Sequence, residues 1–138
     1  MLREHAKSAP ALVRGGATTV AAGRVVLGLT ALAVPSVPAR PWVGAAADGL
    51  AARVFGRALG ARDLALGLGA LAALQQPAAG SARGWVAAGA LSDALDVAAS
   101  LSSWRELPRA GRWLVVASAG GAALAGLIGA LALPDRDG

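Results

Sequence analysis

Two aspartates lie at helical spacing inside an apolar stretch of the sequence. Asp93 and Asp96 belong to a polar set at three-and-four spacing: Gly89, Asp93, Asp96, Ser100, Ser103. This spacing places the set on one face of a helix. A carboxylate near the middle of a bilayer costs about 2.5–3.5 kcal/mol on the insertion scale, so it should face the inside of a helix bundle. There it either faces a cavity, where it handles protons or binds a ligand, or it faces a cation and joins two helices.

Two arginines inside other apolar stretches are the expected partners of these carboxylates. Arg24 and Arg62 each carry a guanidinium that can bind a carboxylate through two parallel hydrogen bonds and keeps its charge. Asp63 follows Arg62, but successive helical residues diverge by about 100°, so it can face a different neighbour. We therefore expect a polar core around the two aspartates of the first motif, formed by Arg24, Arg62, Asp63, Ser92 and Ser100.

The core has three acidic and two basic side chains, which leaves alternatives open. If both arginines pair, one carboxylate is left to be neutral, and Asp93 or Asp96 could then act as a catalytic general acid. The same carboxylates could load and unload protons in a small transporter, or they could be an inert structural core. The sequence contains no cysteine, and His5 has no metal-ligating companions, so we predict no metal site and no cofactor.

The composition indicates a bilayer as the solvent of this chain. Hydrophobic residues make up 56% of the sequence, charged residues only 15%, and the mean hydropathy is +0.57. The net charge of +5 comes almost entirely from arginine, Lys7 being the only lysine. Because the arginines are scattered between apolar stretches, and Phe55 and four tryptophans are the only aromatic residues, we expect no nucleic-acid partner.

The chain of 138 residues is long enough for one domain, which we predict to be a single transmembrane unit. Four apolar stretches approach the roughly 20 residues that a membrane-spanning helix needs. The predicted spans cover residues 16–34, 58–76, 84–104 and 113–133. The predicted fold class is thus all-α, an integral membrane four-helix bundle, and the predicted location is the cell membrane, with several passes.

The segment between the first two spans has two readings. Residues 42–57 form a weakly amphipathic pattern, with Val43, Ala47, Leu50 and Val54 on one face, that predicts a helix lying flat in the membrane interface. The alternative is that this segment extends the second span toward the N-terminus. The basic leader and the apolar stretch before Pro38 also resemble a cleavable signal peptide, which we regard as the less favoured reading.

Small residues four positions apart predict the faces through which the helices pack. One such face lies on the second span: Ala61, Ala65, Gly69, Ala73. Another lies on the fourth span: Ala117, Gly121, Ala125, Gly129. These faces predict close packing, either within one bundle or between copies.

The basic residues do not predict the orientation in the membrane. Five would lie on one side of a four-span protein: Arg3, Lys7, Arg14, Arg83, Arg136. Six would lie on the other: Arg40, Arg53, Arg57, Arg105, Arg109, Arg112. These numbers are too similar for the positive-inside rule to decide between the two orientations.

Two short segments carry a resemblance to known proteins. The residues from Gly60 to Gly67, with Arg62-Asp63, and the segment Ser92-Asp93-Ala94-Leu95-Asp96 resemble a group of small four-span membrane proteins of unknown function from high-GC actinobacteria. The resemblance covers roughly the C-terminal two thirds and implies a fold without an activity. In size and in acidic intramembrane residues, the chain is also loosely similar to small membrane-embedded isomerases and cyclases of isoprenoid metabolism.

The leading functional hypothesis is a lipid-binding or accessory component of the membrane. Its expected partners are the lipid bilayer, an apolar small-molecule ligand, and a second copy or a larger membrane complex. An isomerase or cyclase of an isoprenoid-like substrate, with Asp93 or Asp96 as general acid, and a proton-coupled transporter are the alternatives. A cavity that touches the polar face would favour an enzyme or a transporter over a purely structural core.

Overall fold

A computed structural model describes residues 2–76 and 80–133, with side chains described for residues 11–76 and 82–133. These residues form five α-helices and a short 3-10 helix, and none of them forms a β-strand. The α-helices are α1 (Leu2–Ala33), α2 (Ser36–Val43), α3 (Leu50–Gln75), α4 (Gly80–Ser102) and α5 (Arg109–Ala132), and the 3-10 helix is Gly44–Asp48. The prediction of an all-α protein is confirmed.

The four long helices pack side by side, and α1–α3, α3–α4 and α4–α5 are antiparallel neighbours. The closest pairs are α1 with α3 and α4 with α5, and these two pairs meet through α3–α4 and α1–α5 contacts. Since α1 and α4 each pack against α3 and α5, they lie diagonally opposite each other across the centre of the bundle. Two helices, over Ala11–Ala33 and Arg109–Ala132, are long and apolar enough to cross a membrane.

Prolines and glycines set the ends of these helices. Pro35 follows α1, and Pro108 caps the N-terminus of α5, where its carbonyl accepts the amide of Arg112 at 3.0 Å. Gly44 ends α2 with a φ of 66°, a left-handed conformation that only glycine adopts without strain. Gly49 is extended and directly precedes α3. The chain therefore turns twice between α1 and α3.

These turns contradict the prediction of one flat amphipathic helix over residues 42–57. The first residues of that range end α2, the next form the 3-10 helix, and the rest begin α3 at Leu50. Ala47 is buried, whereas Leu50 and Val54, which were expected to share its face, are 71% and 55% exposed. The extension of the second span is the reading that the structure supports for residues 50–57. A separate helix does lie between α1 and α3, but it is α2, at residues 36–43.

The packing face of α3 agrees with the predicted one only toward the end of the helix. Its buried residues follow a three-and-four spacing that includes an aspartate: Gly60, Asp63, Gly67, Ala70, Ala73, Leu74. Of the predicted face, Ala73 is buried and Gly69 packs against the Trp85 ring of α4, while Ala61 and Ala65 are exposed. The polar side chain of Asp63 must be buried with its partners, so it sets the rotation of the helix. On α5, Ala117 and Gly121 of the predicted face are exposed, whereas Gly129 lies against Val86 of α4, and Gly126, outside that face, packs against Ala90.

Each of the four predicted spans overlaps one long helix, and two of these helices, α1 and α5, are apolar enough to qualify as membrane spans; the helices differ from the predicted ranges mainly at their ends. The first helix begins before residue 16, and α3 begins eight residues before position 58. Arg3, Lys7 and Arg136, which entered the charge comparison, lie outside the residues whose side chains are described.

Candidate functional site

Arg24 extends from α1 into the centre of the bundle and binds two other helices. Its Nη1 donates to Oδ1 of Asp63 on α3 at 2.8 Å. Its Nη2 donates to Oδ2 of Asp93 at 2.5 Å and to the carbonyl oxygen of Gly89 at 2.8 Å, both on α4. The side chains of Arg24, Asp63 and Asp93 are 10%, 10% and 11% exposed. A single guanidinium therefore joins three helices in a place from which solvent is largely excluded.

Arg62 makes a second set of ion pairs, nearer to the surface of the bundle. Nη1 and Nη2 donate to Oδ1 and Oδ2 of Asp96 at 3.0 and 2.8 Å, which is the parallel two-bond arrangement of a guanidinium on a carboxylate. Nη2 also donates to Oδ1 of Asp63 at 3.2 Å. The side chains of Arg62 and Asp96 are 31% and 21% exposed, so this pair is less enclosed than the pair formed by Arg24.

The two sets share Asp63 and form one continuous network. It runs in the order Asp93, Arg24, Asp63, Arg62, Asp96, and it crosses from α4 through α1 and α3 back to α4. All five residues lie in the middle of their helices, far from the caps. The network is thus a polar layer across an otherwise apolar bundle, and it brings together every charged residue of the predicted core.

The two predicted serines lie close to the network without joining it. The hydroxyl of Ser100 is buried and donates to the carbonyl oxygen of Asp96 in the preceding helical turn at 2.8 Å. The Ser92 hydroxyl is also buried, and it makes no hydrogen bond within the part of the chain that the structure describes. Ser100 therefore stabilises the backbone of α4, and Ser92 has unused hydrogen-bonding capacity.

A cavity of about 460 Å³ lies between the two helix pairs, and all five network residues line it. Its remaining walls are almost entirely apolar, formed by residues such as Leu27, Leu59 and Leu114. One end is bordered by Pro38 and Trp42 of α2. The volume lies in the range of pockets that hold small organic molecules.

A second cavity of about 350 Å³ lies toward the N-terminal half of α1. Arg24 and Asp93 line both cavities, and Trp85 of α4 lines only the smaller one. The pair formed by Arg24 and Asp93 therefore stands between two apolar spaces along the length of the bundle.

Three features of this site were not predicted from the sequence. The first is the carbonyl oxygen of Gly89 as an acceptor for Arg24. Every residue has a backbone carbonyl oxygen, so the residue type at this position gives no signal. The second is the contribution of α2, whose Trp42 lines the larger cavity and holds a buried Nε1 without an acceptor among the described residues. The third is Arg62 bound to Asp63, its own neighbour. Of these three features, only the contribution of Trp42 could have been noticed in the sequence, because Trp42 is a lone tryptophan in a segment with three prolines.

Tryptophan and arginine gather at the end of the bundle where α5 begins. The rings of Trp104 and Trp113 meet edge to face, with centroids 5.0 Å apart and planes at 87°. The guanidinium carbon of Arg112 lies 5.1 Å from the centre of the Trp104 ring, a cation–π contact. Amphipathic rings and arginines of this kind are typical of the level of lipid headgroups.

The chemistry of the site is that of ion pairing in an apolar enclosure. Within residues 11–76 and 82–133, no group of three or more metal-ligating side chains is close enough to hold a metal ion. Asp96 has both oxygens bound by Arg62, and Asp93 has one oxygen bound by Arg24, so the carboxylates of this site serve first as acceptors for the two guanidinium groups. Searches for related proteins found no matching family model, no matching curated protein and no matching solved structure.

Proposed function

We propose that this chain is a multi-pass membrane protein whose four long helices cross the bilayer and whose larger cavity binds an apolar small molecule or a lipid chain. The observation that carries the proposal is the half-open cavity of about 460 Å³, whose walls are mostly apolar and which the whole ion-pair network lines. A core that served only to hold the helices together would need no such space, because interiors pack closely.

The distribution of side chains supports the membrane part of the proposal. On α4, Leu91 and Leu95 are 61% and 59% exposed, while Ser92 and Asp93 are buried. On α5, too, large apolar side chains lie on the outside: Leu124 and Ile128 are both 64% exposed. Only 17% of each of the two most apolar windows is buried inside the bundle, whereas the core helix of a water-soluble protein would be mostly buried. Lipid is the solvent that such a surface suits.

The lengths of α3 and α4 are also sufficient to cross a bilayer. At about 1.5 Å per residue, the 26 residues of α3 and the 23 residues of α4 extend beyond the roughly 30 Å of the hydrocarbon layer. Their mean hydropathy is lower than that of α5 because they carry the aspartates and Arg62. Pairing these charges inside the bundle offsets part of the cost of inserting them.

Ligand binding fits the site better than general acid catalysis does. An acid catalyst needs a carboxylic acid proton directed at the substrate. Asp96 instead accepts hydrogen bonds at both oxygens from Arg62, whose guanidinium cannot lose its own protons, and no substrate is placed against the free oxygen of Asp93. Membership of the small four-span membrane proteins of actinobacteria is a further proposal, which rests on the two segments that carry the aspartates.

The proposal is tested first by extraction and then by binding. The protein should stay in membranes after washing with alkaline carbonate and should need detergent for release.

Purified protein should melt at a higher temperature when a long-chain isoprenoid alcohol is added, because a ligand that binds only the folded state stabilises it. Ala119→Leu fills the cavity and should remove this shift, whereas the control Ala117→Leu, on an exposed face of the same helix, should keep it.

Extraction by carbonate would refute the membrane assignment. An equal ligand shift in both leucine variants would refute binding in this cavity.

A further inference from the structure

The network that lines the larger cavity is one positive charge short of neutrality. It contains three carboxylates and two guanidiniums, and together these are all the charged side chains that line the cavity. The lining residues of α2 and α5, among them Trp42, Leu114 and Ser118, bring no charge. A net negative charge between largely apolar walls is costly, so the site favours any species that supplies one positive charge.

The place for that charge is beside Asp63 and Asp93. Asp96 uses both of its oxygens to bind Arg62. Asp63 binds both guanidiniums through Oδ1, and Asp93 binds Arg24 through Oδ2. The second oxygens, Oδ2 of Asp63 and Oδ1 of Asp93, are hydrogen-bonded to neither guanidinium. Both residues line the larger cavity.

The size and the walls of the cavity restrict what can carry the charge. A proton fits but leaves the space of about 460 Å³ unfilled. A small hydrated cation would lose its water against walls such as Leu27 and Leu59, with little to replace it. An organic cation with apolar substituents satisfies both the charge and the walls, and the Trp42 ring adds a surface that attracts cations.

We propose that the larger cavity binds a lipophilic monocation, such as an organic ammonium or phosphonium ion, whose charge replaces one proton held by Asp63 or Asp93. The inference rests on the proposed function and names the class of ligand for the same cavity. The exchange is balanced in charge and atoms, because one cation enters and one proton leaves a carboxyl group for the solvent. It is also the elementary step that a proton-coupled transporter of such cations requires.

The test uses two probe ions of nearly equal size and opposite charge. Tetraphenylphosphonium and tetraphenylborate are titrated into the purified full chain in detergent, with empty micelles as the blank. Calorimetry in two buffers with different ionisation enthalpies gives the affinity and the number of protons released. We expect the phosphonium ion to bind at least 10-fold more tightly than the borate ion, and to release up to one proton for each ion bound. Its affinity should rise with pH by at most 10-fold per unit.

Matched variants connect this binding to the site. Asp63→Asn should weaken phosphonium binding at least 10-fold and abolish proton release, whereas Asp48→Asn, which changes an exposed carboxylate on the 3-10 helix, should change neither. If Asp63→Asn does not fold, Ala119→Leu provides the test, since it fills the cavity and leaves every charge in place. It should abolish phosphonium binding.

Each of the other outcomes overturns the inference. Equal binding of the two ions, or binding without proton release, would refute the charge exchange. So would phosphonium binding that survives Ala119→Leu. If the neutral isoprenoid alcohol still stabilises the protein through the same cavity, the proposed function remains and only the cationic ligand is wrong.

Discussion

Arg24 on α1 donates through Nη2 to Asp93 on α4 at 2.5 Å, so one side chain joins two helices that lie diagonally across the bundle. The same guanidinium holds Asp63 of α3 through its other terminal nitrogen. With side chains only about one tenth exposed, these pairs are the part of the network where loss of one partner should be most costly.

We predict that Arg24→Ala destabilises the protein by about 3–5 kcal/mol, because it leaves buried Asp93 without its partner and leaves Asp63 only the longer bond to Arg62. The double variant Arg24→Ala/Asp63→Asn should be less destabilised than the sum of its single variants. Thermal melting in detergent measures both effects. The exposed pair of Arg40 and Asp48, with side chains 64% and 54% exposed, is the matched control, and Arg40→Ala should cost about 0–1 kcal/mol. Equal effects of Arg24→Ala and Arg40→Ala would contradict a buried ion-paired core.

A second prediction distinguishes Arg62 from Arg24. Arg62→Ala should destabilise less than Arg24→Ala, because its side chain is 31% exposed and Asp96 can gain water when the guanidinium is removed. Arg62→Lys should restore only part of the loss, since an ammonium cannot form the two parallel bonds to Asp96. The melting temperatures of the two variants and of Arg53→Ala, at an exposed position on the same helix, measure this order. A full rescue by lysine would show that the geometry of the pair does not matter.

A third prediction concerns the contact between α1 and α3. A Cβ added at Gly28 would lie 2.6 Å from the amide nitrogen of Leu64 and 2.7 Å from the carbonyl oxygen of Gly60. Gly28→Ala should therefore force the two helices apart and destabilise the protein by about 1–3 kcal/mol. Gly15→Ala is the control on the same helix, because a Cβ there meets nothing within 4 Å. The prediction is wrong if both variants melt at the same temperature.

A fourth prediction tests four crossings with single introduced cysteines, which is possible because the natural sequence has none. Ala45→Cys and Arg105→Cys lie in the connections α1–α3 and α4–α5, and Gln76→Cys lies just after α3. In intact cells, a membrane-impermeant maleimide should label the first two alike and the third oppositely. Labelling of all three, or of Gln76→Cys together with Ala45→Cys, would contradict the proposed topology.

The sequence predicted which charged residues come together, but it did not predict which arginine binds which aspartate. Arg24 and Arg62 were the only two basic residues well inside apolar stretches, so their pairing with aspartates followed from the cost of a buried charge. Which arginine binds which carboxylate depends on the rotation of each helix about its axis, and periodicity in an alanine-rich sequence does not define that rotation. Asp63 shows the difficulty: it faces a different neighbour, Arg24, as expected, and yet it also accepts a bond from Arg62 at 3.2 Å.

The segment between α1 and α3 was the clearest failure of the sequence pattern. The apolar positions Val43, Ala47, Leu50 and Val54 match a helical face, but Gly44 and Gly49 change the chain direction between them. A glycine in an alanine-rich helix is not unusual, so only the backbone geometry shows that these two end their helices. The cavity was equally unpredictable, because it arises from the distance between two helix pairs and not from any residue.

The division of charge among the helices has a consequence for how the protein is made. In a bilayer, α4 brings two carboxylates and no cation of the network, so on its own it would carry an insertion cost of about 5–7 kcal/mol. The α1–α3 pair brings Arg24, Arg62 and Asp63, and it has a net charge of the opposite sign. In the proposed membrane arrangement, α4 should therefore leave the translocation machinery only when it is packed against the α1–α3 pair that precedes it. The helices of this protein would then assemble during insertion, and not after four helices had been inserted independently.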